Sequence, residues 1–172
     1  MTLTKESYMY FDETPLYSEV APNLFMGGTH DDAVINLPQR LRNFDSKNEF
    51  DCVVTLYAWA APANWGVEER RFGFPDADLI ADYIPTIVDL AFWAHAKWKA
   101  GKRVNIRCQA GLNRSGIVTA LTLMIDGMSA DQAIDTLRTK RSSYALCNGE
   151  FEHWLLTDAA EVISNYQIRK SA

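Results

Sequence analysis

A β-rich segment, a tight loop and an apolar helix follow one another without a break in the second half of the sequence. Residues 104–107 read Val-Asn-Ile-Arg, residues 108–114 contain a glycine, and the apolar stretch of residues 115–126 ends before Gly127. The first pattern predicts a strand and the last predicts a helix. A strand that passes through a short loop into a helix is a building unit of α/β proteins, so the sequence predicts an α/β fold.

Segments before this unit extend the same architecture. Residues 24–28 predict a short strand that ends in a glycine turn, and residues 52–57 predict a strand buried on both faces of a parallel sheet. Apolar residues recur at three- and four-residue spacing over residues 79–100, which predicts a long helix ended by Gly101. We therefore expect a central, mostly parallel twisted sheet flanked by helices.

The remaining signals concern the ends of the chain. Ser129 predicts the N-cap of a helix over residues 131–140, and Asn148 predicts the N-cap of a last helix that continues through Val162. The 172 residues suit one domain that spans the whole chain, residues 1–172. Residues 1–20 are expected to form an irregular N-terminal lead.

Composition narrows the function classes. The formal net charge of -5 disfavours broad nucleic-acid binding, which needs a basic face. No run approaches the roughly 18 apolar residues of a membrane span, and the first residues lack the basic and apolar regions of a signal peptide. We expect a cytoplasmic protein without a membrane or nucleic-acid partner, and the oligomeric state is left open.

The cysteines and histidines give no sign of a metal site. The three cysteines show no CxxC spacing, and the three histidines show no metal-ligand spacing. Neither a disulfide framework nor a zinc site is expected. We therefore expect chemistry without a metal or another cofactor.

Residues 108–114 combine a nucleophile, a phosphate-binding backbone and a cation. A free cysteine is mostly protonated at pH 7, so a nucleophilic Cys108 needs a positive local field. The loop amides and the N-terminus of the following helix supply one, and Gly111 allows close approach of the backbone. Arg114 adds a planar pair of donors for two phosphoryl oxygens. The loop residues expected to bind phosphate are Gln109, Ala110, Gly111, Leu112 and Asn113.

The sequence from Cys108 to Gly116 resembles the signature loop of the dual-specificity branch of the protein tyrosine phosphatase superfamily, whose pattern is HCxxGxxRS. Looser matches extend over most of the chain. The resemblance implies that Cys108 is the nucleophile, that Arg114 binds the phosphate and that Ser115 assists departure of the thiolate. Arg107 stands where the family has a histidine, and its role is left open.

The resemblance also implies a general acid, which in the family is an aspartate on a loop ahead of the long helix. Residues 74–76, Phe-Pro-Asp, stand in that place and select Asp76. Asp78 follows two residues later and is the alternative. A helix N-terminal cap is the non-catalytic interpretation of either aspartate.

The expected function is hydrolysis of phosphomonoesters, namely phosphotyrosine and phosphoserine or phosphothreonine in proteins, through a phosphocysteine intermediate. The loop lacks the lysine that phosphoinositide phosphatases of this superfamily often carry, which favours a phosphorylated protein substrate. The run from Asn113 to Gly116 is similar to that of RNA 5′-triphosphatase relatives, a reading that the acidic net charge disfavours. A non-catalytic phosphate-binding module, with Arg107 as the inactivating change, is the remaining alternative.

Residues 58–66 follow the second predicted strand at its carboxyl end, where open α/β sheets usually bind ligands. Trp59 and Trp65 in this segment are therefore candidates to line the cleft. Arg70 and Arg71 are expected to form a solvated charge pair outside the site.

Overall fold

A five-stranded sheet organises the part of the chain that the structure describes. The structure is a computed structural model that describes residues 14–29 and 49–171. Its strands are β1 Tyr17–Ala21, β2 Leu24–Gly27, β3 Cys52–Thr55, β4 Glu68–Arg71 and β5 Val104–Arg107. Their order across the sheet is β1-β2-β5-β3-β4, with β1 antiparallel to β2 and every other neighbouring pair parallel. The predicted α/β fold with a mostly parallel sheet is confirmed.

Helices cover the face of the sheet that forms the main core. They are α1 Ile84–Lys99, α2 Arg114–Ile125, α3 Ala130–Lys140, α4 Gly149–Thr157 and α5 Ala159–Ser171, and a 3₁₀ turn over Ala81–Tyr83 leads into α1. Helices α1 and α2 pack against each other and against the inner strands. Strand residues Met26, Val54 and Ile106 join them in this core and are fully buried. Within the described residues, no helix combines the length and the apolar character that crossing a membrane requires.

The opposite face of the sheet carries a smaller apolar cluster of Phe25, Phe50 and Val53. Phe25 and Val53 are register partners of Asn105 on β5. Side chains alternate between the two faces of a strand, so Arg107 lies on this second face with Asn105. The residue immediately before the candidate nucleophile is thereby directed away from the main core.

Two expectations about the strands need correction. The irregular lead predicted for residues 1–20 is wrong for residues 17–20, which belong to β1 because pairing with β2 gives their backbone groups partners. Residues 1–13 of the predicted lead lie outside the described residues. Strand β4 was not predicted, because its sequence Glu-Glu-Arg-Arg has no apolar alternation. Among the described strands it lies at the edge of the sheet and pairs with β3.

The helix boundaries follow local signals with two exceptions. Both N-cap predictions are confirmed, because Ser129 forms a capping box at the start of α3 and the Asn148 side chain caps α4. The last predicted helix is instead two helices, α4 and α5, which separate at Asp158. The long helix begins at Ile84, later than predicted, because Pro85 has no N–H to donate and suits the first turn.

Candidate active site

The loop between β5 and α2, residues 108–113, packs directly on the glycine turn that ends β2. The Cys108 N–H donates to the Gly27 carbonyl at 3.1 Å. Gly111 has a φ of +72°, and a Cβ atom at this position would lie 2.3 Å from the carbonyl carbon of Gly27. Both the left-handed backbone and the close approach require glycine at position 111. The turn over residues 27–28 therefore acts as the support on which the loop is shaped.

The Cys108 sulfur lies at the base of this loop. Cys108 is 1% exposed, the Gly111 N–H donates to its Sγ at 3.2 Å, and the Ser115 hydroxyl lies 3.3 Å from the same atom. Helix α2 begins at Arg114, so the N–H groups of its first turn have no partners within the helix. These donors and the positive end of the helix dipole favour negative charge at this position.

The guanidinium of Arg114 is held on two sides. Its Nη1 donates to the Phe74 carbonyl at 3.2 Å, and its Nη2 donates to Gln109 Oε1 at 3.4 Å. The group also lies 5.4 Å from the ring centroid of Tyr57. The buried Nε atom donates to none of the described residues. A buried N–H without an acceptor is costly, so this edge of Arg114 is suited to an anionic oxygen.

Arg141 is a supporting residue of the loop that the sequence did not predict. Its Nε donates to the Gly111 carbonyl at 3.0 Å, its Nη2 donates to the Ala110 carbonyl at 3.5 Å, and its Nη1 donates to the Pro15 carbonyl. Burial lowers the pKa of Arg141 to about 10, and negative charge on Cys108 opposes this shift. The guanidinium therefore stays charged at neutral pH and fixes the outer carbonyls of the loop.

The side chain of Asp76 is held by two asparagine amides. Asn113 Nδ2 donates to Asp76 Oδ2 at 3.0 Å, and Asn148 Nδ2 donates to Asp76 Oδ1 at 2.9 Å. The two asparagines also contact each other, because the Asn148 N–H donates to Asn113 Oδ1 at 3.0 Å. The structure thus brings the candidate acid, the phosphate loop and the N-terminus of α4 together. Sequence analysis identified Asn148 only as a helix cap.

The two remaining predicted residues differ in their relation to the loop. Leu112 is buried, and its carbonyl accepts the Leu146 N–H at 3.1 Å, so it fixes the loop through its backbone. Asp78, the alternative acid, is exposed, and the asparagine amides bond to Asp76 rather than to it. The geometry separates two aspartates that the sequence left as alternatives.

Arg107, which stands in place of the family histidine, is buried on the second face of the sheet. Its Nε donates to Thr55 Oγ1 at 2.9 Å, and its Nη2 donates to the Ala61 carbonyl at 2.7 Å and to Glu69 Oε1 at 3.3 Å. These contacts join β5 to β3, to β4 and to the segment that follows β3. Arg107 is therefore part of the framework beside the site.

A cavity of about 280 Å³ adjoins Arg114. It is lined by Tyr57, Ala58, Trp59, Gly73, Phe74, Pro75 and Arg114. Of the two tryptophans proposed from the sequence as cleft residues, Trp59 belongs to this lining and Trp65 does not. Both indoles are exposed, Trp59 to 83% and Trp65 to 93%.

The arginines of β4 have separate environments. Arg70 pairs with Asp89 at 3.2 Å on the exposed surface. Arg71 donates from Nη2 to the Ala60 carbonyl at 2.6 Å and from Nη1 to Glu69 at 2.9 Å. Both arginines are exposed, as predicted, but Arg71 also bonds to the segment that carries Trp59.

Three solved structures share the fold of this chain. Tk-PTP in its active form is 24% identical with a TM-score of 0.68, and the match covers 86% of this chain and 97% of that one. A mouse putative dual specificity phosphatase complexed with zinc tungstate is 23% identical with a TM-score of 0.67, covering 90% and 92%. Human DUSP28 is 22% identical with a TM-score of 0.70, covering 89% and 98%. Likeness at these identities shows the fold alone.

The family follows from the sequence rather than from these structures. No curated protein gives a significant match. The sequence model of the family described as "Dual specificity phosphatase, catalytic domain" matches residues 32–160. This span includes the signature loop, the segment of the candidate acid, strands β3 to β5 and helices α1 to α4. The chain therefore belongs to the dual specificity phosphatases, the cysteine-dependent branch of protein phosphatases that its loop resembles.

Proposed function

We propose that this phosphatase hydrolyses phosphotyrosine, and phosphoserine or phosphothreonine, in proteins through a phosphocysteine intermediate. The observation that carries the proposal is the pair formed by the Cys108 sulfur, which accepts the Gly111 N–H, and the buried Arg114 Nε, which has no acceptor among the described residues. One loop thus presents a nucleophile and unused donors. A phosphoryl group is a substrate that uses both.

In the first step, the Cys108 thiolate attacks phosphorus, and the bond between phosphorus and the leaving oxygen breaks. Asp76 transfers its proton to that oxygen, so that the product leaves as a neutral alcohol or phenol. Arg114 and the amides at the start of α2 stabilise the charge on the equatorial oxygens. The products of this step are the dephosphorylated side chain and phosphocysteine.

In the second step, Asp76, now a carboxylate, accepts a proton from a water molecule whose oxygen attacks phosphorus. The bond between sulfur and phosphorus breaks, inorganic phosphate leaves, and the Cys108 thiolate is restored. The Ser115 hydroxyl, 3.3 Å from the sulfur, donates to the departing thiolate. The Asn113 and Asn148 amides orient Asp76 for both proton transfers.

The surroundings of the loop support a protein substrate. The loop has no lysine, and Gln109 turns its side-chain oxygen to Arg114, so extra positive charge for a polyphosphate or an inositol phosphate is lacking. The formal net charge of -5 also disfavours an RNA substrate. The non-catalytic alternative depends on Arg107 as a damaging change, whereas its described contacts are with Thr55, Ala61 and Glu69.

Hydrolysis of para-nitrophenyl phosphate between pH 5 and pH 8, with a chelator present, tests the proposal. We expect turnover by the wild type and none by Cys108→Ser of unchanged circular dichroism. Acid quenching of wild type during turnover should leave a phosphoryl group on Cys108, detected by mass spectrometry after digestion. Full activity of Cys108→Ser, or a phosphoryl group on another residue, would refute the mechanism.

A further inference from the structure

A second cavity lies between the start of α1 and α5, away from the signature loop. Its volume is about 660 Å³, and small-molecule sites in proteins occupy about 300 to 1,000 Å³. Residues of the segment 81–88 line one side, and residues of the segment 162–170 line the other. The lining includes neither the signature loop nor Asp76, so this cavity is separate from the candidate active site.

The inner wall of this cavity is apolar. Val88 is buried, and Ile84 and Val162 are half-buried and also pack against the main core. Pro85 adds an apolar ring to the same wall, and its backbone has no N–H to satisfy. A ligand that covers this wall gains hydrophobic contact without leaving a polar group unpaired. The wall therefore suits a hydrocarbon group.

Tyr166 forms a fixed aromatic side of the cavity. Its ring stacks on Phe92 with 4.2 Å between the ring centroids, and its hydroxyl donates to Asp89. Burial and the Asp89 carboxylate raise the pKa of Tyr166 to about 12, so the hydroxyl remains a donor at neutral pH. Both partners belong to α1, so these contacts tie α5 to α1 beside the cavity. The cavity is therefore formed before a ligand enters it.

Two cations lie on the exposed side of the cavity. Arg169 and Lys170 line it, belong to the last turn of α5 and are exposed. The Lys170 ammonium lies 5.5 Å from the centroid of the Tyr166 ring. Among the described residues, neither cation forms a salt bridge, and the Asp89 carboxylate beside Tyr166 already pairs with Arg70 at 3.2 Å. The cavity thus combines an apolar wall with two positive charges that have no carboxylate partner.

We propose that this cavity binds a small amphiphilic carboxylate, namely a single hydrocarbon chain that ends in a carboxylate group. The chain lies against Val88 and Val162, and the carboxylate meets Arg169 and Lys170. The planar donors of an arginine match the two oxygens of a carboxylate. A neutral lipid would leave the two cations unused, and a small anion without a chain would leave the apolar wall uncovered.

Isothermal titration with three probes tests the two halves of this proposal. Decanoate has the chain and the carboxylate, decanol has the chain alone, and acetate has the carboxylate alone. We expect wild type to bind decanoate more tightly than decanol or acetate. Equal Kd values for decanoate and decanol would refute the role of the cations. Equal Kd values for decanoate and acetate would refute the role of the apolar wall.

A pair of matched lysine substitutions tests whether the charge acts locally. Lys170→Gln and Lys140→Gln each remove one positive charge from the last turn of a helix, but Lys170 lines this cavity and Lys140 does not. Lys170→Gln and Arg169→Gln should each raise the Kd of decanoate by about 2- to 5-fold and leave that of decanol unchanged. Lys140→Gln should change neither Kd. If it weakens decanoate as much as Lys170→Gln does, the attraction comes from net charge and the cation site is refuted.

Val162→Thr tests the apolar wall, because threonine has nearly the shape of valine but adds a hydroxyl. It should weaken decanoate and decanol by a similar factor of about 3- to 10-fold, and unchanged affinity for both would refute the wall.

The position of the ligand is read from amide NMR. Chemical-shift changes on addition of decanoate should centre on residues 81–88 and 162–170. Changes centred on residues 108–114 would place decanoate at the signature loop and refute this cavity as its site. These readouts do not depend on turnover, so their outcome is independent of the phosphatase assay.

Discussion

Replacing Asn148 with serine is expected to impair the use of Asp76 while leaving the fold intact. Asn148 has two roles. Its Oδ1 caps α4 at the N–H groups of Glu150 and Phe151, and its Nδ2 holds the segment of the candidate acid by donating to Asp76 Oδ1 at 2.9 Å and to the Ala77 carbonyl at 3.1 Å. Serine is about as good an N-cap as asparagine but is too short to reach the carboxyl group. The substitution therefore removes one role and keeps the other.

The size of the effect follows from the hydrogen bonds. A hydrogen bond to a charged group contributes about 1.5 to 3 kcal/mol, and Asp76 keeps its second donor, Asn113, at 3.0 Å. We therefore expect a loss of about 1 to 2 kcal/mol in transition-state stabilisation of the first step, which is about 5- to 30-fold in kcat/KM for an ester whose leaving group needs a proton. Asp76→Ala removes the acid itself and should cost about 10²- to 10⁴-fold. Asn148→Ala should add about 1 kcal/mol of lost stability through the missing cap.

The assay compares two aryl phosphates that differ in their leaving group. Phenyl phosphate releases a basic phenolate that needs a proton, whereas para-nitrophenyl phosphate releases an anion that needs little help. We expect Asn148→Ser to lower kcat/KM, which reports the formation of phosphocysteine, for phenyl phosphate and to change kcat/KM little for para-nitrophenyl phosphate. In an Asp76→Ala background the same substitution should have no further effect, because its action passes through Asp76. Equal losses with both esters, or a further loss in that background, would refute the reasoning.

Three other predictions concern the loop and its framework. Gly111→Ala should lower the free energy of unfolding in urea by about 2 to 4 kcal/mol and abolish turnover, since its Cβ would overlap Gly27. The control Gly101→Ala, also at positive φ but in open space, should lower the free energy of unfolding by about 1 kcal/mol and keep activity. Arg114→Lys should lower kcat/KM by about 10²- to 10³-fold and weaken competition by tungstate, and unchanged kinetics would contradict the role given to its planar donors. The pKa of Glu69 is lowered on folding. Its contribution to stability is therefore present above its unfolded pKa of about 4.3 and is lost as the pH falls through its folded pKa. The difference in Tm between wild type and Glu69→Gln should shrink below about pH 4, and a constant difference from pH 3 to pH 7 would contradict this linkage.

The parts of the fold that the sequence predicted are those with local causes. Strand β5 has the predicted bounds because Val104 and Ile106 alternate with polar residues and enter the main core, and α3 begins directly after the Ser129 capping residue. Strand β4 has no local sequence pattern that would predict it, since its charged side chains are stabilised by partners on β3, on α1 and in residues 58–66. A strand of this kind is recognisable only when its neighbours in the sheet are known.

The same distinction applies to the site. The proposed nucleophile and the arginine proposed to bind phosphate lie within seven consecutive residues, 108–114. The contact between Asp76 and Asn148 joins residues 72 positions apart, and the contact between Arg141 and Gly111 joins residues 30 positions apart. No local pattern encodes either pair, because each depends on how α3 and α4 pack beside the loop. The sequence therefore indicated the proposed reacting groups and missed the residues that hold them.

The consequence of having Arg107 in place of the family histidine depends on where its side chain points. The position before the nucleophile is the last residue of a central strand, so its side chain has to enter the second face of the sheet. A guanidinium buried there requires acceptors, and Thr55, Glu69 and the Ala61 carbonyl supply them. Histidine is shorter and carries fewer donors, so at this position it could not donate both to Glu69 on β4 and to the Ala61 carbonyl. In this chain the arginine and Glu69 therefore form a matched pair, and restoring the family histidine alone would leave the Glu69 carboxylate short of a donor.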